Sequence, residues 1–121
     1  MDCIFCKIIN GDIPSYTVLE NDYVKCFLDI NPINDGHTLV VPKKHFLDIN
    51  DIDEEYLSKV NEAAKEIVKL LNKKLKPDGI RLVQNNGTLQ EIKHYHLHII
   101  PSYKENHKKE KVETIFDKLT K

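Results

Sequence analysis

The chain has 121 residues, one domain's worth, and at 40% hydrophobic and 31% charged residues it lies outside the composition of disordered proteins. Eighteen Lys+Arg against nineteen Asp+Glu give a formal net charge of -1, without the positive excess by which a protein holds a nucleic-acid polymer. No apolar run approaches the ~20 residues of a membrane helix, and Met1-Asp2-Cys3 does not open the basic-then-apolar order of a secretion signal, so a soluble cytoplasmic domain off the membrane is expected.

Residues 3–10 (CIFCKIIN) are apolar and end at Gly11, which predicts a short helix with a glycine stop. Pro14 follows in a turn. Residues 16–20 and 23–28 read as two strands joined by Glu20-Asn21-Asp22, a tight-turn composition. Cys26, in the second of them, reads as a small buried hydrophobe. Asn31-Pro32 and Asn34-Asp35-Gly36 mark a loop, and residues 37–41 form a β-branched strand closed by Pro42.

Residues 53–75 carry the strongest helical signal. Leu57, Val60, Ala64, Ile67 and Leu71 recur at three- and four-residue spacing. Asp51 with Glu54 matches a capping box, and Pro77-Asp78-Gly79 stops the helix. Residues 80–84 read as a strand, Asn85-Asn86-Gly87 as a turn and residues 92–100 as the last strand. The Lys-rich tail beyond Pro101 places Val112, Ile115, Phe116 and Leu119 at helical spacing. His107, within that tail, reads as a solvated side chain. The expected class is α+β, an antiparallel sheet packed by one long helix, with a domain over 1–103 and a tail over 104–121.

Half of the six histidines fall within five residues, as His94, His96 and His98. Alternate residues of a strand share a face, with Cα atoms roughly 6.7 Å apart at this spacing. The three imidazoles therefore point one way, and Tyr95, Leu97 and Ile99 enter the core. Three readings follow: a polar face that happens to be histidine, a catalytic zinc site using all three, or nucleophilic and acid–base chemistry near neutral pH. Three cysteines cannot all pair. Cys3 and Cys6 form a C-x-x-C without the preceding strand of a thioredoxin-like unit, and zinc would need two further ligands.

The run HYHLHII at 94–100 resembles the motif of the histidine triad (HIT) family. CIFCKIINGDIPS at 3–15 is similar to the N-terminus of its bacterial branch, FLDINPINDGHTLVVPKKH at 27–45 to its central segment, and HIIP at 98–101 is typical of it. The resemblance implies a homodimer with joined sheets. It also implies hydrolysis or transfer at the α-phosphate of a purine nucleotide or nucleotide conjugate, such as a nucleoside phosphoramidate or a dinucleoside polyphosphate. By the same resemblance His96 is the nucleophile; imidazole chemistry then requires it to attack in its neutral form, with a backbone carbonyl expected to fix its other nitrogen as N–H donor. His98 contacts phosphate oxygens and His37 stands close to the leaving group. Asp29 accepts bonds from the ribose hydroxyls, Ile30 lies against the base, and Asn85 and Gln90 lie near the phosphate. The zinc-binding members imply a structural zinc on Cys3, Cys6, His45 and His94. The chain departs from the family between Gly87 and His94, where it is about two residues shorter and carries Glu91 in place of a small hydroxyl residue. A nucleotide-binding regulatory module with little turnover is the alternative that this departure raises.

Overall fold

A computed structural model describes residues 3–121. The elements in order are α1 (Ile4–Ile9), β1 (Thr17–Glu20), β2 (Val24–Leu28), β3 (Thr38–Pro42), α2 (Glu54–Lys74), β4 (Gly79–Gln84), β5 (Leu97–Ser102) and α3 (Val112–Thr120). The strands form one antiparallel sheet in the order β1-β2-β3-β5-β4, the α+β arrangement expected. No helix among the described residues is long and apolar enough to cross a membrane.

Period-two alternation gives each strand two useful faces. Val24, Cys26, Leu28, Val40, Leu97 and Ile99 point to the side covered by α2, where Val60, Ala64, Ile67 and Leu71 meet them. Phe27, Leu39 and Val41 point to the other side and bury Cys3, Phe5 and Ile8. The helix α1 is too short to cover that second face, so the remainder is left to histidines. Helix α3 joins the α2-side core through Ile115 and Leu119, with Phe116 against Tyr16 at 5.3 Å between ring centres.

Two expectations are corrected. The cap of α2 is Asp53, whose side chain accepts from Tyr56 N–H at 2.8 Å, while Asp51 accepts from Leu47 N–H. Either aspartate could cap in isolation; the turn at residues 48–52 decides between them. The last strand begins at Leu97 rather than at residue 92. Its ladder to β3 runs from Thr38↔Ile99 to Val40↔Leu97. Residues 94–96 then leave the ladder, and Tyr95 N–H donates to the Phe46 carbonyl at 2.7 Å.

The loop from Asp29 to His37 is folded against the end of α2 at Gly36. Its φ is +86°, and a Cβ there would lie 2.7 Å from Leu75 Cδ1 and 3.0 Å from Leu71 Cδ2. Both the left-handed backbone and the close approach require glycine. Gly36→Ala is expected to destabilise the protein by about 1–3 kcal/mol, read as a lower denaturation midpoint at unchanged slope. A neutral result would show that Leu75 and the backbone relax freely.

Candidate active site and metal centre

The run 94–99 keeps its alternation across the point where the ladder begins. Tyr95, Leu97 and Ile99 enter the α2-side core. Their alternates His94, His96 and His98 take the other face, where the Phe5 ring packs edge-on against His94 and His96 at 5.9 and 5.0 Å. His96 and His98 lie 4.8 Å apart by ring centre. His37, at the mouth of β3, completes the row.

Backbone groups assign the tautomers. His96 Nδ1 lies 2.7 Å from the carbonyl oxygen of His94. That oxygen can only accept, so Nδ1 carries the proton and Nε2 keeps a free lone pair. Ile33 N–H donates to His37 Nδ1 at 3.1 Å, which leaves the His37 proton on Nε2. His37 Nε2–H then donates to His98 Nδ1 at 2.9 Å, and the His98 proton sits on Nε2. One ring thus presents a lone pair and its neighbour an N–H.

Burial supports the neutral forms. It lowers the pKa of His96 against the opposing pull of the His94 carbonyl, Asp29 and Glu91. It lowers His37 also, although the Asp29 carboxylate opposes it. It pushes His98 down to about 4, helped by the neighbouring His96 and His37. Near pH 7 the row is therefore uncharged imidazole.

The other predicted site residues divide. Asp29 lies at the site, with Oδ2 3.7 Å from His37 Nε2 and Oδ1 accepting from Asn31 N–H at 2.8 Å. Ile30 is 72% exposed, an apolar side chain left bare beside it. Asn85 is half-buried, just past the end of β4. Gln90 is buried and commits its Nε2 to the Leu47 carbonyl at 2.7 Å, while its Oε1 has no partner among the described residues. Its amide keeps Oε1 as an acceptor and a second Nε2 hydrogen as a donor. Glu91 is exposed. His107, expected in solvent, instead bonds the buried Asp35 at 2.8 Å.

A second cluster gathers Cys3, Cys6, His45 and His94, whose donor atoms all lie within 4.8 Å of one another. Cys3 Sγ is 3.4 Å from His94 Nδ1, and Cys6 Sγ is 3.3 Å from His45 Nδ1 and 3.6 Å from His94 Nδ1. Zinc bonds of ~2.3 Å to sulfur and ~2.0 Å to nitrogen set a tetrahedral S···N edge of about 3.5 Å, so the donor set fits that ion. His94 Nε2–H donates to the Pro42 carbonyl at 2.9 Å, which aims Nδ1 at the sulfurs. Burial, then the adjacent Cys3, pushes the Cys6 thiol up to about 11; a dication would hold both sulfurs as thiolates. Asp29, His37 and His98 also converge, but the proton that Ile33 forces onto His37 Nε2 fills the space a cation would take. The sequence marks the histidines and cysteines; the carbonyls of His94 and Pro42 and the Ile33 N–H have no signature in it.

The HIT domain family matches residues 10–105. An uncharacterised HIT-like protein of Methanocaldococcus jannaschii is 52% identical over 103 residues, covering 84% of this chain and 79% of that protein. An adenosine 5'-monophosphoramidase of Saccharomyces cerevisiae is 42% identical over 127 residues, covering 98% of this chain and 77% of the yeast protein. A zinc-bound histidine triad family protein of Mycobacterium smegmatis superposes with a TM-score of 0.91 at 30% identity, covering 99% of this chain and 91% of that structure. With the histidine row, the sheet and these matches in agreement, the chain belongs to the HIT family.

Proposed function

We propose that this protein is a nucleotide hydrolase or nucleotidyltransferase acting at the α-phosphate of nucleoside phosphoramidates or related nucleotide conjugates, through a nucleotidyl-His96 intermediate. The observation that carries the reading is the 2.7 Å contact of His96 Nδ1 with the His94 carbonyl, which leaves Nε2 as a nucleophile in a neutral ring. The likeness to the yeast monophosphoramidase supports the substrate class.

In this reading Nε2 bonds to phosphorus as the bond to the amine breaks, and the departing amine takes its proton from water. The His96 ring becomes cationic with Nδ1–H still held by the His94 carbonyl, a bond that strengthens as charge develops. His98 Nε2–H points to a phosphate oxygen, and His37 acts through His98 by fixing that proton outward. Asp29 accepts from ribose hydroxyls, and the bare Ile30 side chain meets a base. Asn85 lies near the phosphate; Gln90 holds the Leu47 loop beside it. Water then attacks phosphorus and releases the nucleoside monophosphate and neutral His96. His96→Ala is expected to lower turnover of an adenosine phosphoramidate on the order of 10⁴-fold or more, while nucleotide binding survives. Near-normal turnover in that variant, or inversion at phosphorus in the wild type, would sink the covalent path. Binding without turnover in the wild type would favour the regulatory module instead.

Cys3, Cys6, His45 and His94 are proposed to hold a structural zinc ion, which supplies a closed four-ligand cross-link and takes no part in the transfer. His94 then ties the N-terminal helix to the segment that carries His96. Metal bound only by folded protein stabilises it by about 4 kcal/mol at a thousandfold excess over the dissociation constant. Chelation is expected to lower the melting temperature by several degrees, and Cys6→Ser to reduce both bound zinc and Tm. An unchanged Tm on metal removal counts against the assignment.

The assembly is proposed to be an isologous homodimer. Among the described residues strand β4 pairs only with β5 and carries Leu82 at 53% exposure on the sheet edge, and an open edge of this kind invites pairing with a second copy. Light scattering at micromolar concentration is expected to give twice the chain mass, and Leu82→Asp to shift it toward monomer. A wild-type monomer would overturn the assembly.

A further inference from the structure

The tail beyond β5 is written in lysines, yet it is pinned to one place. Asp35 is 2% exposed, and its Oδ2 accepts from His107 Nε2–H at 2.8 Å. Glu110 N–H reaches both of its oxygens, at 3.1 and 3.3 Å. The Tyr103 ring stacks on the His107 ring at 4.0 Å between centres and 10° between planes, and its hydroxyl donates to the Asp35 carbonyl at 2.8 Å. Lys109 Nζ donates to the Pro32 carbonyl at 2.9 Å. All these bonds run from residues 103–110 to residues 32–35, the middle of the loop whose two ends are Asp29 and His37.

From this arrangement we propose that His107, Asp35 and Tyr103 are positioning residues for the nucleoside end of the site, a strap that holds the Asp29–His37 loop at the distance the histidine row requires. The proposal rests on the nucleotide reading above. A buried carboxylate is tolerated only where its donors are, so the Asp35 side chain has one satisfied location and the loop is fixed with it. The loop's own bonds carry the constraint outward: Asp29 N–H donates to the His37 carbonyl at 2.9 Å, and Ile33 N–H donates to His37 Nδ1 at 3.1 Å. The second of these sets the proton order of His37 and His98. Loosening the strap therefore displaces Asp29 and Ile30 first and weakens the hold on ribose and base. The lone pair of His96 is set by His94 and lies outside this chain of bonds.

The test compares the full-length wild type with His107→Ala, His107→Gln, which keeps a donor at the Nε2 position, and Tyr103→Phe, which removes one hydroxyl. The readouts are hydrogen exchange at the Ile33 and His37 amides, the dissociation constant of adenosine monophosphate, and KM against kcat for an adenosine phosphoramidate. In His107→Ala the two amides are expected to exchange about fivefold to tenfold faster. KM and the dissociation constant rise by roughly three- to tenfold while kcat stays within about twofold. Tyr103→Phe shows the same pattern more weakly, and His107→Gln recovers most of it. Unchanged exchange and KM in His107→Ala overturn the proposal. So does a fall in Tm or kcat with KM unmoved, the mark of a merely structural residue. If the amides respond as expected but the wild type has no affinity for adenosine monophosphate, the strap stands and the nucleotide reading fails.

Discussion

The cysteine cluster and the next imidazole of the row both depend on His94. Its ring is fully buried and bonded at both nitrogens, to the Pro42 carbonyl on one side and toward the Cys3 and Cys6 sulfurs on the other. Its own carbonyl accepts the His96 proton. One residue thus joins the end of β3, the N-terminal helix and the tautomer of the next imidazole in the row. Few side chains can do this. A buried polar ring is tolerated only when both nitrogens are satisfied, and that demand fixes the backbone that holds His96.

The alternation around His94 was legible because period two is a local property of sequence. His94, His96 and His98 share a face and Tyr95, Leu97 and Ile99 oppose them, as the spacing requires. Where the ladder starts was not legible. Strand pairing depends on β3, some sixty positions earlier, and β3 pairs only as far as Leu97. The preceding residues are irregular and are tied down through Tyr95 N–H and the Phe46 carbonyl, a bond between backbone groups that every sequence contains. The cap of α2 fails for a related reason, since Asp51 and Asp53 are chemically equal and only the turn between them separates their roles.

His107 is a different kind of miss. By its neighbours it is one polar residue in a charged tail, and a solvated reading follows from composition alone. Its partner Asp35 sits 72 positions away in a loop whose composition suggests only a turn. Pairing across that span is a consequence of tertiary structure: helix α3 packs Ile115 and Leu119 on α2, which returns the tail past the loop. The cysteine cluster was legible only through resemblance, because C-x-x-C by itself names two ligands and leaves the other two anywhere in the chain.

The alternating run also sets where the chain can change length. Removing or adding one residue between His94 and His98 would exchange the two faces beyond that point, sending imidazoles into the α2-side core and Leu97 or Ile99 into the site. No local adjustment recovers from that, because both faces are packed. Upstream, residues 85–93 are irregular backbone, one short 3-10 helical turn over Gly87–Leu89 and bends, tied to distant residues by the Asn86 and Gln90 side chains. A change in chain length before His94 therefore costs least in that stretch.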